Sequence, residues 1–559
     1  MQSPADREAD LDLLIIGAGG AGLVAAVSAL EAAAGLPPLS MPAAAAGPGV
    51  DVSNKAARPG AAGAKTAPVP TTLGAGPAPP TRGQSPLRVA ILEKASSPGG
   101  NTAQSAGMFA IESPAQRRKG IVVSKGEVFR EKMTYAHWRV DPGLVSDCLD
   151  LSGQLVAWLE ARGMRFDNVI EFLREGEAPR VFHSFSPGPP GFIGKTIVER
   201  LMEECLQKGV HVLCDSAAVR LHTVGVSSNP GGDRPGTHRT RVIGVTARQG
   251  EAEAHFAANA VILATGGFGG NSSLLERYFP GHSDVFTLNR PEVAGDGLLL
   301  AEAAGAGIDH QGPVLLVTGP HHYPWSHVLT LLVRRPEVVL VNSEGRRYSD
   351  ETLFLDYHTE AGNALSQQPG KICYALVDRA LIERMVTSGE IVSGMEREAG
   401  GAGAWLANLE AELEAGVARG TVAKGDGWEE VAQAIGADPS ELARTVTRYN
   451  EFCERGEDAD FFKESRFLVP LRTPPYYAVL GRQGFDTTLG GIKVDRRMRV
   501  LDRGGIPIEG LYAVGDCATG WEYENYNLRH PGSALTFALC SGYIAGREAA
   551  AYVARLPIS

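Results

Sequence analysis

The segment Leu11-Asp-Leu-Leu-Ile-Ile-Gly-Ala-Gly-Gly-Ala-Gly22 runs an apolar stretch into a G-x-G-x-x-G turn and then a helix of small residues. Such a turn binds a pyrophosphate. Gly17 makes the tight bend, Gly19 lets phosphate oxygens approach the backbone, and Gly22 lets helix and strand pack closely. Gly20 and Ala21 open the helix, whose unpaired N–H groups face the phosphates. The next convincing strand, Arg88-Val-Ala-Ile-Leu92, ends on Glu93, a carboxylate suited to ribose hydroxyls. A lone G-x-G-x-x-G is weak evidence. With the flanking strand, the helix and the terminal acid, it points to dinucleotide binding.

Three later stretches bear on which dinucleotide. Gly99-Gly100-Asn101-Thr102 is a second glycine doublet on the pyrophosphate side. Val261-Ile-Leu-Ala-Thr-Gly-Gly267 is an apolar strand closing on Thr265, Gly266 and Gly267, and Gly510-Leu-Tyr-Ala-Val-Gly-Asp516 ends on Gly515 and Asp516. Each alone could be an ordinary strand and turn. In this order they resemble flavoproteins in which one βαβ fold wraps a whole FAD, the late acid holding the ribityl chain. No second G-x-G-x-x-G follows a strand, because Gly266 to Gly270 and Gly400 to Gly403 lack the spacing. A built-in nicotinamide domain is therefore not expected, and an external electron donor or acceptor is.

The 559 residues leave room for two or three domains. Hydrophobic content of 44% and charged content of 21% are ordinary for a globular protein. A net charge of −11 argues against a nucleic-acid partner. No uninterrupted apolar run reaches about 18 residues, so no stable membrane insertion is expected. The first ten residues lack the basic-then-apolar pattern of a signal peptide. Seven scattered cysteines, an odd number without a CxxC pair, suit buried thiols in a reducing compartment, and a cytoplasmic location is expected. No haem-attachment or iron–sulfur run is present.

The elements that must position these motifs suggest an α/β fold: a Rossmann-like FAD-binding domain in two parts, 1–311 and 487–559, with an inserted α+β cap domain over 312–486. Residues 36–86 are rich in Ala, Pro and Gly, lack aromatics and interrupt the βαβ unit, so a disordered surface insertion is expected there. Residues 226–236 read as a long hairpin loop between strands near 217–222 and 241–248. Apolar spacing predicts helices over 143–164 and 194–208 and strands at 210–214 and 258–263. In the cap, helices are expected near 376–388, 403–418, 427–435 and 440–454.

Taken together, Gly99-Gly-Asn-Thr102, Ala264-Thr-Gly-Gly-Phe-Gly-Gly-Asn271, Ala294-Gly-Asp-Gly297, Val341-Asn-Ser-Glu-Gly-Arg-Arg-Tyr-Ser-Asp-Glu351, Leu489-Gly-Gly491 and Gly510–Asp516 resemble the fumarate reductase/succinate dehydrogenase flavoprotein family. The closest branches in site character are those of tricarballylate dehydrogenase and ketosteroid dehydrogenase. The resemblance covers nearly the whole chain apart from the insertions, and it is specific for family rather than substrate. It implies FAD chemistry across a C–C bond, with hydride passing at flavin N5 and a side chain handling the proton. It extends the cofactor set to Lys94, Ser105, Ala106, Gly107, Val219, Asp296, Ser533, Ala534 and Leu535.

The departures narrow the choice. Where membrane succinate dehydrogenases carry a flavin-bonded histidine this chain has Asn101, so the FAD should be non-covalent. The proton-delivering arginine of fumarate reductases falls on Leu355, followed by Asp356 and Tyr357, and the carboxylate-gripping histidine falls on Thr487. A fumarate reductase is therefore not expected. Within Asn527-Leu-Arg-His-Pro-Gly-Ser-Ala534, Arg529 matches the family's substrate-carboxylate arginine, whose planar fork binds two oxygens; the alternative is a surface or phosphate arginine. Tyr357 is the first candidate for proton transfer, its alternative being a packed cap tyrosine. Tyr523, Tyr526 and His530 share the loop of Arg529, and Tyr526 and His530 are expected at the substrate with Thr487. His321, His322 and His327 suit no standard zinc site.

The expected activity is that of an FAD-dependent oxidoreductase adding or removing hydrogen across a CH–CH bond activated by a carbonyl or carboxylate. Two alternatives stand beside it: a flavoprotein subunit relaying electrons to a partner, and a catalytically degenerate FAD-binding protein.

Overall fold

The structure, a computed structural model, describes residues 11–39, 87–174, 176–184, 193–226, 239–320, 327–398 and 405–557. Residues 40–86 of the insertion predicted over 36–86, most of the 226–236 loop, and His321 and His322 lie outside them.

Largely apolar runs bounded by turns form the centre of the first sheet, as expected for strands covered on both faces. Pro507–Ala513, Ala252–Leu263, Leu11–Ile16, Val89–Leu92 and His211–Leu213 lie side by side in that order, all parallel. Ile16 sits beside Leu92 on one side and Leu263 on the other, so the ends carrying Gly17, Glu93 and Ala264 meet at one edge. The helix Gly20–Ala33 packs on Ser533–Ala554, and Gly542 and Gly546 make the approach possible: a Cβ at either would lie 2.3 or 2.2 Å from a carbonyl of the first helix.

A second sheet is built on one long strand, Tyr476–Ile492. Ile308–Thr318, Ile372–Asp378 and Val422–Gly425 pair with it antiparallel, Phe286–Thr287 pairs with it parallel, and Val339–Asn342 extends the sheet beyond Ile372–Asp378. The long strand starts in the core of this second layer and ends against the first, where Ile492 bridges Ala518. Asp486 and Thr487 therefore fall between the layers.

The helices at Pro142–Glu160, Ile193–Gln207, Trp428–Ile435 and Pro439–Arg455 follow the apolar spacing closely. Near 376–388 the helix begins only at Arg379. Ile372–Asp378 ahead of it is a strand, a short buried run whose periodicity cannot separate the two states. No described helix is long and apolar enough to cross a membrane.

Candidate functional site

A single cavity of about 310 Å³ runs from the glycine turn to the space between the two sheets. Its first half is walled by Gly17, Gly19, Gly20, Ala21, Glu93, Lys94, Gly100, Asn101, Thr102, Ser105, Ala106, Gly107, Thr265, Gly266 and Asp296, and by Gly515, Asp516, Ala534 and Leu535 from the late strand and helix. Gly17, at φ 109°, adopts a backbone open to glycine, and a Cβ at Gly22 would lie 2.0 Å from the Gly17 carbonyl. At Gly19 the nearest atom to such a Cβ is 3.7 Å away. The fold itself does not demand glycine there; the open space in front suits an approaching pyrophosphate.

Glu93 accepts from the Ala18 and Ala95 amides, both at 2.8 Å, which fixes its carboxylate at the cavity wall. Burial raises its pKa, and the two amides oppose that. Thr102 accepts from the Gly20 amide, tying the second glycine turn to the first. Lys94 pairs with Asp296 at 2.7 Å. Asn101 is held by Asn289 at 2.6 Å and accepts from the Arg290 amide. Asp516 is pushed up to about 6 by burial, against a 2.7 Å hydrogen bond from Thr487. A glycine cradle, a ribose acid and a second acid near the far end fit the parts of FAD in order.

The other half of the cavity is apolar with four ionisable side chains. Phe172, Phe182, Val314, Leu316, Met395 and Leu528 form the walls, with Arg334, His358, Asp486 and Tyr526 among them. Arg334 caps the C-terminus of the wholly buried helix Val328–Val333, where a cation suits the helix dipole. Its Nε donates to the Val317 carbonyl at 2.9 Å, and Nη1 lies 3.9 Å from the Met395 sulfur. Among the described residues no carboxylate reaches it at ion-pair distance. Burial pulls its pKa down to about 10, with Asp486 opposing, so it remains a cation at neutral pH. Asp486 is accessible from the cavity yet deep in the protein; burial raises its pKa and Arg334 counters. Burial, and then the Arg334 charge, hold His358 well below the usual imidazole range, which makes it neutral.

Most of the remaining sequence candidates sit elsewhere. Tyr357 is 50% exposed and off the cavity wall; its neighbour His358, the first residue of helix His358–Ser366, is the one that reaches the cavity. Asp356 pairs with Arg174, and Leu355 is buried beside Val392 and Phe467. Arg529 also lies off the wall, with Nε 2.7 Å from Glu131. His530 is fully buried against Phe109 and 3.4 Å from the same glutamate. Thr487 lines the cavity but donates to Asp516, on the cofactor side. Ser533 donates to Glu522 at 2.7 Å, and Gly22, Gly267 and Val219 stand behind the wall. His327 caps its own helix by accepting from Leu329, and no metal-binding cluster occurs among the described residues. Sequence reasoning missed Arg334, His358 and Asp486. The one signal available was an Arg-Arg pair set between two apolar runs.

Comparison with known proteins agrees with the cofactor half. Residues 81–535 match the family model described as an FAD binding domain. The chain belongs to that family. It is 29% identical over 481 residues to the vinyl phenol reductase of Lactiplantibacillus plantarum, covering 83% of this chain and 92% of that protein. It is 26% identical to a fumarate reductase (cytochrome) of Shewanella frigidimarina, covering 84% and 74%. The fold matches that of 3-ketosteroid-Δ4-(5α)-dehydrogenase from Rhodococcus jostii RHA1, solved with 4-androstene-3,17-dione, with a TM-score of 0.66, 20% identity, and coverage of 98% and 99%. The chain is thus an FAD flavoprotein of an oxidoreductase family whose named relatives include reductases.

Proposed function

We propose that this protein is an FAD-dependent oxidoreductase that adds or removes hydrogen across a C–C bond of a substrate with an apolar, often aromatic, body and one anionic or strongly electron-withdrawing head. The observation that carries this is Arg334: a buried cation with no carboxylate partner among the described residues, set in a wall of Phe172, Phe182, Leu316, Met395 and Leu528. A buried charge is costly unless a counter-charge or hydrogen-bonding partner satisfies it. A substrate carboxylate, phenolate or carbonyl oxygen would supply that partner. One cation among hydrophobic side chains fits such a head better than a small dicarboxylate, which needs a grip at both ends.

Bound FAD supplies a hydride donor or acceptor at its N5. The chain's own residues do the rest. Arg334 fixes the head and draws electron density toward it, which activates the neighbouring C–C bond. The apolar walls exclude water, strengthening that charge interaction. His358, neutral, can offer a hydrogen bond without competing for the anion. Asn101 in place of a histidine supports non-covalent FAD, since a carboxamide is no nucleophile. The electron partner is external, and the buried free cysteines favour a reducing, cytoplasmic setting.

The test is a substrate panel. Reduced holoprotein is mixed with 4-vinylphenol, cinnamate, cyclohexenone and fumarate, and flavin reoxidation is followed by absorbance. Faster reoxidation by the bulky alkenes than by fumarate is expected; fumarate preferred over all of them refutes the reading.

A further inference from the structure

Behind the cavity wall lies a group of buried ionisable side chains that the reading above leaves unused. Lys132, on helix Lys125–Tyr135, is fully buried; its Nζ lies 2.5 Å from Glu522 and 3.9 Å from the centre of the Trp521 ring. The same Glu522 oxygen accepts from the Ser533 hydroxyl at 2.7 Å. Ser533 also faces the phenol of Tyr526, whose oxygen accepts from the Ala534 amide at 3.0 Å. Tyr526 lines the main cavity, with Arg334 and Asp486 among the other wall residues. Glu522 and Tyr526 further share a small cavity of about 30 Å³ with Thr487 and Asp516, room enough for a water.

A buried lysine–glutamate pair is expensive for stability alone, because desolvation cancels most of the attraction. Here it is joined through one hydroxyl to a phenol on the cavity wall. We propose that Lys132, Glu522, Ser533 and Tyr526 form a proton relay, with Tyr526 the acid–base group that exchanges a proton with the substrate carbon. Burial lowers the pKa of Lys132 against the pull of Glu522, which makes the ammonium a readier donor, and it raises the pKa of Tyr526, which keeps the phenol protonated.

The steps balance as proton transfers alone, the two electrons arriving with the hydride. In the reducing direction the Tyr526 O–H bond breaks as the proton forms the new C–H bond beside the hydride-accepting carbon. The Lys132 ammonium passes a proton to the Glu522 carboxylate, and the carboxylic acid so formed passes it to Ser533 as the Ser533 hydroxyl turns from Glu522 and gives its own proton to the phenolate. Lys132, left as a neutral amine, regains its proton from water. Dehydrogenation runs the same chain backwards.

The inference rests on the Arg334 end being the substrate site, so two probes separate the two claims. The first, 1-nitrocyclohexene, accepts a hydride to give a nitronate that needs no acid. The second, preformed cyclohexyl nitronate, requires only protonation and can be followed in oxidised holoprotein without redox change. Tyr526→Phe should keep its FAD and pass hydride to nitrocyclohexene within about threefold of wild type. It should protonate the nitronate about 100-fold more slowly or worse, the usual worth of general acid catalysis. Ser533→Ala should lose at least tenfold in the same step. Lys132→Met combined with Glu522→Gln removes both charges without leaving either buried alone, so it should fold, bind FAD and share the defect. Nitronate protonation at the wild-type rate in Tyr526→Phe, or a wild type no faster than buffer, overturns the relay. A wild type that protonates the nitronate yet passes hydride to no alkene overturns the substrate reading and leaves the relay standing.

Discussion

Replacing Arg334 by methionine removes the cavity's buried cation at similar bulk. If its head-binding role is correct, the substrate loses charge-assisted hydrogen bonding worth about 1.5–3 kcal/mol. That corresponds to roughly a 10- to 150-fold fall in kcat/KM. Stability should change far less, because two effects oppose each other. The Val317 carbonyl loses the 2.9 Å donor, a cost of about 1–3 kcal/mol, while an unpaired buried charge disappears. FAD content should stay normal, since Arg334 stands on the apolar half of the cavity. Asp486 should titrate higher still, because Arg334 is what opposes its upward shift. Any limb of the pH–rate profile set by Asp486 then moves to higher pH. The assay is kcat/KM across pH with the best alkene from the panel, beside FAD content and a melting curve. Unchanged kcat/KM in folded, FAD-replete Arg334→Met refutes the reasoning, and so does loss of FAD with intact folding.

Acid precipitation should release FAD intact, because Asn101 offers no nucleophile; flavin left on the denatured chain contradicts this. Asp516 is pushed up to about 6 and so binds a proton below that pH, whereas ribityl hydroxyls favour its carboxylate. FAD affinity should therefore be full above pH 6 and fall about tenfold per pH unit below it, and Asp516→Asn should flatten the curve in a fluorescence titration. Arg529→Ala should cost at most about 1 kcal/mol of stability and leave kcat/KM within about threefold, since its partner is the half-exposed Glu131. A hundredfold loss with normal FAD would restore the substrate role that the sequence suggests for it.

The cofactor half was legible because its residue types are imposed locally. A φ of 109° at Gly17, and the missing space for a Cβ at Gly22, are demands a single chain segment announces through glycine. Glu93 is readable because it ends a strand. The strand Ile372–Asp378 could not be separated from the helix that follows, because a short buried run has no decisive periodicity and leads straight into that helix.

The apolar half was illegible for a different reason: neighbouring residues there have opposite fates. Arg334 and Arg335 look alike in the sequence, yet Arg335 is consumed by Glu337 and by Glu396 at 2.9 Å, while Arg334 is left to the cavity. One of the two acids that separate them, Glu337, is a near neighbour in sequence, but the other, Glu396, lies 61 residues further on, which no local pattern contains. Tyr357 and His358 repeat the problem at a helix start. Tyr357, at φ −139° and ψ 59°, is the non-helical residue before the helix that His358 opens, and this break leaves the tyrosine in solvent while the histidine is buried. The resemblance to fumarate reductases, counted residue by residue, aimed at Leu355 and Arg529 because it assumed that the cation arrives from the same positions. In this chain the buried cation comes instead from the end of the Val328–Val333 helix. A charge can move between elements while the cavity keeps its need for one, so charge bookkeeping in the folded protein nominates a substrate end that motif counting does not.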